Sequence, residues 1–274
     1  MKRHTIKMTI FIGLALCAQI TLGNAQPRTR GFVAHTIYSK YLKEQRKVYV
    51  KLPRGYQTNS KYSAIYVLGS RKLTMKIIRE TDSLYRANQL PKVIVVGIPH
   101  KNAQTRKRDL TPDFLKQDLK AAHSALGQAS QFLDFLDQEV IPFINAQYAT
   151  NARRLLVGHS REGLFVINTL KTKPNLFTGY LALSPALWRE NNLFVNKFKD
   201  HLQKGSSISS FLFMSMGRQE VKKMTQAFDQ LIQVLKQYAS KKFTWKSSYT
   251  PNATHQTNHL RSVRQGILLF FKQH

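Results

Sequence analysis

The feature that most constrains this chain is a series of short apolar runs separated by helical patterns. Ala64 to Leu68 (AIYVL) and Val93 to Ile98 (VIVVGI) are continuous apolar stretches, as strands covered on both faces require. Arg154 to Gly158 (RLLVG), Tyr180 to Ser184 and Phe211 to Met216 read as further buried strands. Lys47 to Leu52 is a strand ahead of the turn Pro53-Arg54-Gly55-Tyr56, and Phe243 to Ser248 is the last one. Helical patterns run from about Met75 to Asn88 and from Gln131 to Tyr148, where Pro142 is expected to kink the helix. Others follow Ser160 to Lys171, carry the stripe Val221, Met224, Phe228, Leu231, Leu235, and close the chain at Val263 to Phe271. Such alternation implies a mostly parallel central sheet with helices on both faces. Residues 26 to 46 are the least regular part, and neither a repeat nor an interdomain linker interrupts the pattern.

The N-terminus has a different plan. Lys2, Arg3 and Lys7 precede an apolar run from Met8 to Leu22, then the small residues of Gly23-Asn24-Ala25. This is the layout of a secretory signal, too short to span a bilayer comfortably. Cleavage near Ala25 is expected, which divides the chain into a signal peptide, 1–25, and a single domain, 26–274. That cleavage removes Cys17, the chain's one cysteine. Disulfides, cysteine nucleophiles and cysteine metal sites are thereby excluded together. The expected compartment is a bacterial periplasm or the secreted fraction, with no transmembrane segment left after cleavage.

Charge narrows the chemistry further. Forty-three Lys and Arg stand against fourteen Asp and Glu, a net +29. A field of this sign attracts anions. The cations are spread along the chain, with Arg106-Lys107-Arg108 the densest group. No basic arm, zinc-finger spacing or aromatic-interleaved motif marks a specific nucleic-acid site. The scarcity of acids leaves few candidates for any role that needs a carboxylate.

Gly158-His159-Ser160 lies where a buried strand runs into a helix. A nucleophilic serine needs a sharp turn that lifts its hydroxyl above the sheet, and a helix N-terminus beside it that favours negative charge. The usual pattern is G-x-S-x-G. Here the segment reads Gly158-His159-Ser160-Arg161-Glu162-Gly163, so the last glycine comes one residue late. Glu162 occupies the position that normally requires a small side chain.

From this point the chain resembles the esterase family of α/β hydrolases that includes esterase-D-like enzymes, feruloyl esterases and siderophore (enterochelin) esterases, and most of all the siderophore-esterase-like branch. The resemblance covers Val48 to Phe271. It rests on Tyr66-Val67-Leu68, on Val96-Gly97-Ile98 followed by Arg106, Asp109 and Thr111-Pro112, on Phe132 to Pro142, and on Leu183-Ser184-Pro185 with Trp188. It implies an α/β-hydrolase fold and a serine carboxylic-ester hydrolase acting on siderophore-type or aryl esters, without metal or organic cofactor. One departure stands out: Gly69-Ser70 replaces the Asp-Gly with which the family's strand usually ends.

The resemblance also places a histidine just before the final helix. His255 precedes Gly266 by the family's usual spacing, and His259, one turn later, is its rival; a metal-binding pair at that spacing is a further alternative. Glu220, on the loop leaving the Phe211 strand, is the candidate acid, with Asp229 or no acid at all as alternatives. An oxyanion hole would use the backbone N–H groups of Arg161 and Ser70. Arg106, Asp109 and Trp188 are candidates to line a cleft for a small, anionic ester. A competing reading is a catalytically impaired binding protein on the same fold with a basic, anion-binding surface. Its motive is that Glu162 and Gly69-Ser70 both fall within the machinery.

Overall fold

The computed structural model describes residues 31–116, 127–205 and 207–273. The signal peptide expected at 1–25 and Cys17 lie outside them. Eight strands form one sheet in the order β1-β2-β4-β3-β5-β6-β7-β8. They are β1 (Val33–Ser39), β2 (Glu44–Lys51), β3 (Tyr62–Leu68), β4 (Val93–Ile98), β5 (Thr150–His159), β6 (Gly179–Leu183), β7 (Phe211–Gly217) and β8 (Trp245–Thr250). β1 and β2 are antiparallel to their neighbours, and the strands from β4 through β8 run parallel.

Every residue of β3, β4, β6 and β7 is buried, which is why these strands read as apolar runs without alternation. Successive side chains point to opposite faces. Ile65, Val67, Leu155, Val157, Leu181 and Phe213 therefore pack on one side, against α1 (Arg71–Arg86) and α8 (Asn258–Phe271). Tyr66, Leu156, Tyr180, Ala182 and Met214 pack on the other. That layer holds α5 (Arg161–Thr172), α6 (Arg189–Gln203) and α7 (Lys222–Tyr238). Each fully buried ring, such as Phe165 or Phe213, contributes about 2 kcal/mol of burial.

Two elements lay beyond the sequence pattern, β1 and α2 (Ala103–Leu110), and α6 was not anticipated either. The expected helix at Gln131 to Tyr148 is continuous but changes pitch. α3 (Ala129–Phe135) gives way to a wider π turn at Leu136–Val140 before α4 (Ile141–Gln147). Pro142 sits in the first turn of α4, and because the helix is continuous through it, its missing N–H removes a backbone bond to the preceding turn, which is where the wider π turn lies.

Strand order reverses at β3. From β3 the chain steps outward to β4, then returns to β5 on the other side. Loops leaving the carboxyl ends of two such strands diverge and open a crevice. Gly69-Ser70 leaves β3 there, and Ser160 leaves β5. Among the described residues no helix is long and apolar enough to cross a membrane.

Candidate active site

β5 ends at His159 and α5 begins at Arg161, so Ser160 alone makes the reversal, at φ 62° and ψ −114°. Positive φ at a residue other than glycine costs about 1–3 kcal/mol and persists only where surroundings enforce it. Here the Ser160 N–H donates to Leu183 O at 2.9 Å, while its carbonyl accepts from Leu164 and Ala186, each at 3.0 Å. Tightness of the turn explains Gly158: a Cβ there would come within 2.5 Å of the Glu162 backbone. The late glycine has its own reason, since Gly163 abuts Pro185 and Leu183 O.

The hydroxyl this turn presents meets an imidazole. Ser160 Oγ is 2.9 Å from His255 Nε2, and His255 Nδ1 is 2.8 Å from Glu220 Oε2. With Nδ1–H donated to a carboxylate, Nε2 is the nitrogen left to accept the serine proton. The Glu220 side chain has no solvent exposure, against 26% for that of His255. Its other oxygen accepts from Ser184 Oγ at 2.6 Å and from Gly217 N–H at 2.8 Å. Behind it, Asn258 Nδ2 donates to Ser184 Oγ and Ser215 Oγ, and Asn258 Oδ1 accepts from Thr250. Ser215 in turn bonds Ser262 at 2.7 Å. A buried chain of neutral polar groups thus steadies the acid.

A second histidine holds the first in place. His159 Nε2–H donates to the His255 carbonyl at 2.9 Å, and its ring stacks on His259 at 4.0 Å between centroids. Burial, reinforced by the neighbouring His259 and His255, pushes His159 down to about 3. Burial and the nearby Lys72 lower His259 to about 4.

The remaining candidates are spread out. Arg161 N–H is at the first position of α5, where helical N–H groups have no partner within the helix. Ser70 caps α1 through its side chain, and its N–H turns back to Leu68 O at 3.1 Å. Arg106 approaches the elbow by pairing with Glu162 at 2.7 and 2.5 Å. Asp109 is not brought to the site: it is fully buried, bonded to Arg46 at 2.5 Å and Arg108 at 2.7 Å. Trp188 is half-buried at the base of α6, beneath Lys223 at 4.0 Å. Asp229 bonds Tyr249 on the exposed face of α7, and His259 stacks on His159 rather than meeting Ser160. Sequence reasoning did not find Asn258, the Ser184 bond or the His159 brace. Ser184-Pro185 was at least part of a recognised segment, whereas nothing marked Asn258.

Two clefts meet at the loop leaving β3. A smaller one, about 320 Å³, is lined by Ser70, His100, Arg106, His159 and Glu162. The larger, about 990 Å³, shares Gly69 and His100 with it and carries Lys47, Arg71 and Lys101. Neither lining includes Ser160; the smaller cleft reaches the elbow at His159 and Glu162, and the larger adjoins the smaller at Gly69 and His100.

Known proteins resemble this chain in sequence and fold. The family model described as "Putative esterase" matches residues 39–257. The siderophore enterobactin esterase of Emericella nidulans is 28% identical over 176 residues, covering 58% of each chain. Ferri-bacillibactin esterase BesA of Bacillus subtilis is 33% identical over 119 residues, 39% of this chain and 40% of that one. The chain therefore spans less than two thirds of the length of either. An IroE-like serine hydrolase from Shewanella oneidensis superposes with a TM-score of 0.80 at 29% identity, over 88% of this chain and 80% of that one. The matched span runs from the end of β1 past His255, and with the α/β sheet that underlies it, this chain belongs to the esterase family of α/β hydrolases, in its siderophore-esterase-like branch.

Proposed function

We propose that this protein is an exported serine carboxylic-ester hydrolase acting on siderophore-type esters. One observation carries the reading: the Ser160 hydroxyl, at a strained elbow, lies 2.9 Å from an imidazole whose other nitrogen is held by a buried carboxylate. In the first step Ser160 Oγ attacks the ester carbonyl carbon while His255 Nε2 takes the hydroxyl proton. The N–H of Arg161 receives the developing oxyanion. Ser70 N–H is the second donor in this proposal, and must release Leu68 O to act. His255 then protonates the departing alkoxide as the C–O bond breaks. Water attacks the acyl-serine with His255 again as base, releasing the carboxylic acid and restoring Ser160.

The substrate class draws support from relatives named for siderophore esterases. An anionic ester also suits the net +29 and the cations around the larger cleft. Export draws support from the basic start, the apolar run and the small residues before Gln26.

Hydrolysis of p-nitrophenyl acetate and butyrate tests the mechanism, with Ser160→Ala and His255→Ala beside the wild type. Each substitution is expected to remove the activity in a chain that still folds. A wild type no faster than Ser160→Ala, with a serine inert to fluorophosphonate, would overturn it in favour of a binding protein. Hydrolysis of ferric enterobactin, a trianion, that slows with added salt is the expected result for an anionic substrate, and N-terminal sequencing should find the exported chain beginning at Gln26.

A further inference from the structure

Glu162 occupies the elbow position that normally requires a small side chain, yet its carboxylate does not enter the turn. It runs sideways toward the loop leaving β3. There its carboxylate meets Arg106 of α2 through both oxygens, Nε to Oε1 at 2.7 Å and Nη2 to Oε2 at 2.5 Å. His100, on the loop leaving β4, brings Nε2 to 3.4 Å from Oε1, an electrostatic contact too loose for a formed hydrogen bond. The carboxylate is 7% exposed and the His100 ring 5%. Burial alone would raise the Glu162 carboxyl, but the His100 ring and the Arg106 guanidinium reverse this and bring it down to about 2. It is a buried anion held in its charged form.

What it rests against is Gly69. A Cβ on Gly69 would overlap Glu162 Oε1 and come within 3.3 Å of His100 Cδ2. Gly69 also sits at φ 76°, where other residues are strained. The chain's two departures from the family pattern, Gly69 for an acid and Glu162 for a small residue, therefore lie against each other in space. Together they amount to one carboxylate moved from the β3 loop to the elbow helix.

We propose that Glu162 is a positioning residue of the active site, its carboxylate standing where the loop would otherwise carry an acid and binding that loop, His100 and Arg106 to the elbow. It acts through its neighbours. Gly69-Ser70 supplies the proposed second oxyanion donor, and Arg106 and His100 line the smaller cleft beside it. A shift of about 1 Å in such groups can cost as much as a hundred-fold in rate. The proposal rests on the ester-hydrolase reading and adds to it a residue on which turnover depends.

The test is a double-substitution cycle with p-nitrophenyl butyrate, expressing kcat per serine titrated by fluorophosphonate so that unfolded chains do not count. Glu162→Gln, which keeps shape and loses charge, is expected to lower kcat about ten-fold, with KM for this small neutral ester unchanged within about two-fold. Glu162→Gly and Gly69→Asp should each lose at least as much. Gly69→Asp combined with Glu162→Gly should recover to within about three-fold of the wild type, an interaction that independent sites do not show. Two results overturn the proposal: kcat per titrated serine within about two-fold of the wild type in both Glu162→Gln and Glu162→Gly, or losses that simply multiply in the double variant. A wild type with neither turnover nor a titratable serine would instead remove the hydrolase reading beneath it.

Discussion

The two flanks of the elbow each bury a carboxylate, and they satisfy it in opposite ways. Glu220 accepts from a serine hydroxyl, a backbone N–H and an imidazole, with Asn258, Ser215 and Ser262 behind them. Glu162 is met by a full guanidinium and a second ring. Neutral donors stabilise an anion without cancelling it, so on the proposed mechanism the field of Glu220 would still reach His255 as that ring becomes a cation. An arginine offsets the charge of its partner, so Glu162 is held chiefly by its ion pair. One flank keeps its charge for use; the other spends it on architecture.

Several substitutions would break or sharpen this contrast. Glu220→Gln has the largest expected effect, a fall in kcat of about ten thousand-fold, because an amide cannot favour the tautomer that leaves Nε2 free. Steady-state rates on p-nitrophenyl butyrate measure it, and a loss below ten-fold would mean that His255 works without the acid. Arg106→Met strands the opposite carboxylate and should lower unfolding free energy by about 3 kcal/mol in urea titration. A change below 1 kcal/mol would put the two flanks on the same footing. Asn258→Ala loosens the neutral chain and is expected to lower kcat by about ten-fold while KM stays put.

The smallest effect concerns pH. His159 is held at about 3 in the folded chain, against about 6.5 when unfolded. The unfolded chain therefore binds the extra proton first, and stability falls as pH drops from about 6.5 toward 3. Each such group contributes up to about 1.4 kcal/mol per pH unit. Melting temperatures between pH 7 and pH 5 should decline less steeply in His159→Gln than in the wild type.

Legibility in the sequence followed the kind of force at work. β3, β4, β6 and β7 are covered on both faces, and double coverage writes itself as an apolar run. β1 is an edge strand, half-exposed along most of its length, and VAHTIYS shows no clean alternation. α2 (AQTRKRDL) carries no apolar stripe because charge holds it: Arg106 to Glu162, Arg108 to Glu44, Asp109 to Arg46. Pairings of that kind join residues 56 to 64 positions apart, and no local pattern announces them. The same holds within the site. Ser160 is marked by its strand-to-helix junction, and His255 by the family resemblance, which places a histidine just before the closing helix. Asn258 and His159 act through bonds that exist only once β5, β7 and α8 are assembled. Glu162 shows the limit most clearly, since spacing shows which position it fills but not where its side chain goes.

The order of assembly along the chain has a consequence for synthesis. Ser160 and His255 are 95 residues apart, and α8 must still lie back across β6 and β7, its Gly266 against Leu181 and Phe213 and its Phe270 against Gly179. Arg264 of α8 also ties back to Glu80 of α1, 184 positions earlier. On the proposed mechanism a growing chain thus carries its nucleophile long before it can use it, and a product truncated between α5 and α8 would hold the serine without a seated base. Ester hydrolysis through that pair would accordingly report that α8 has been made and has docked.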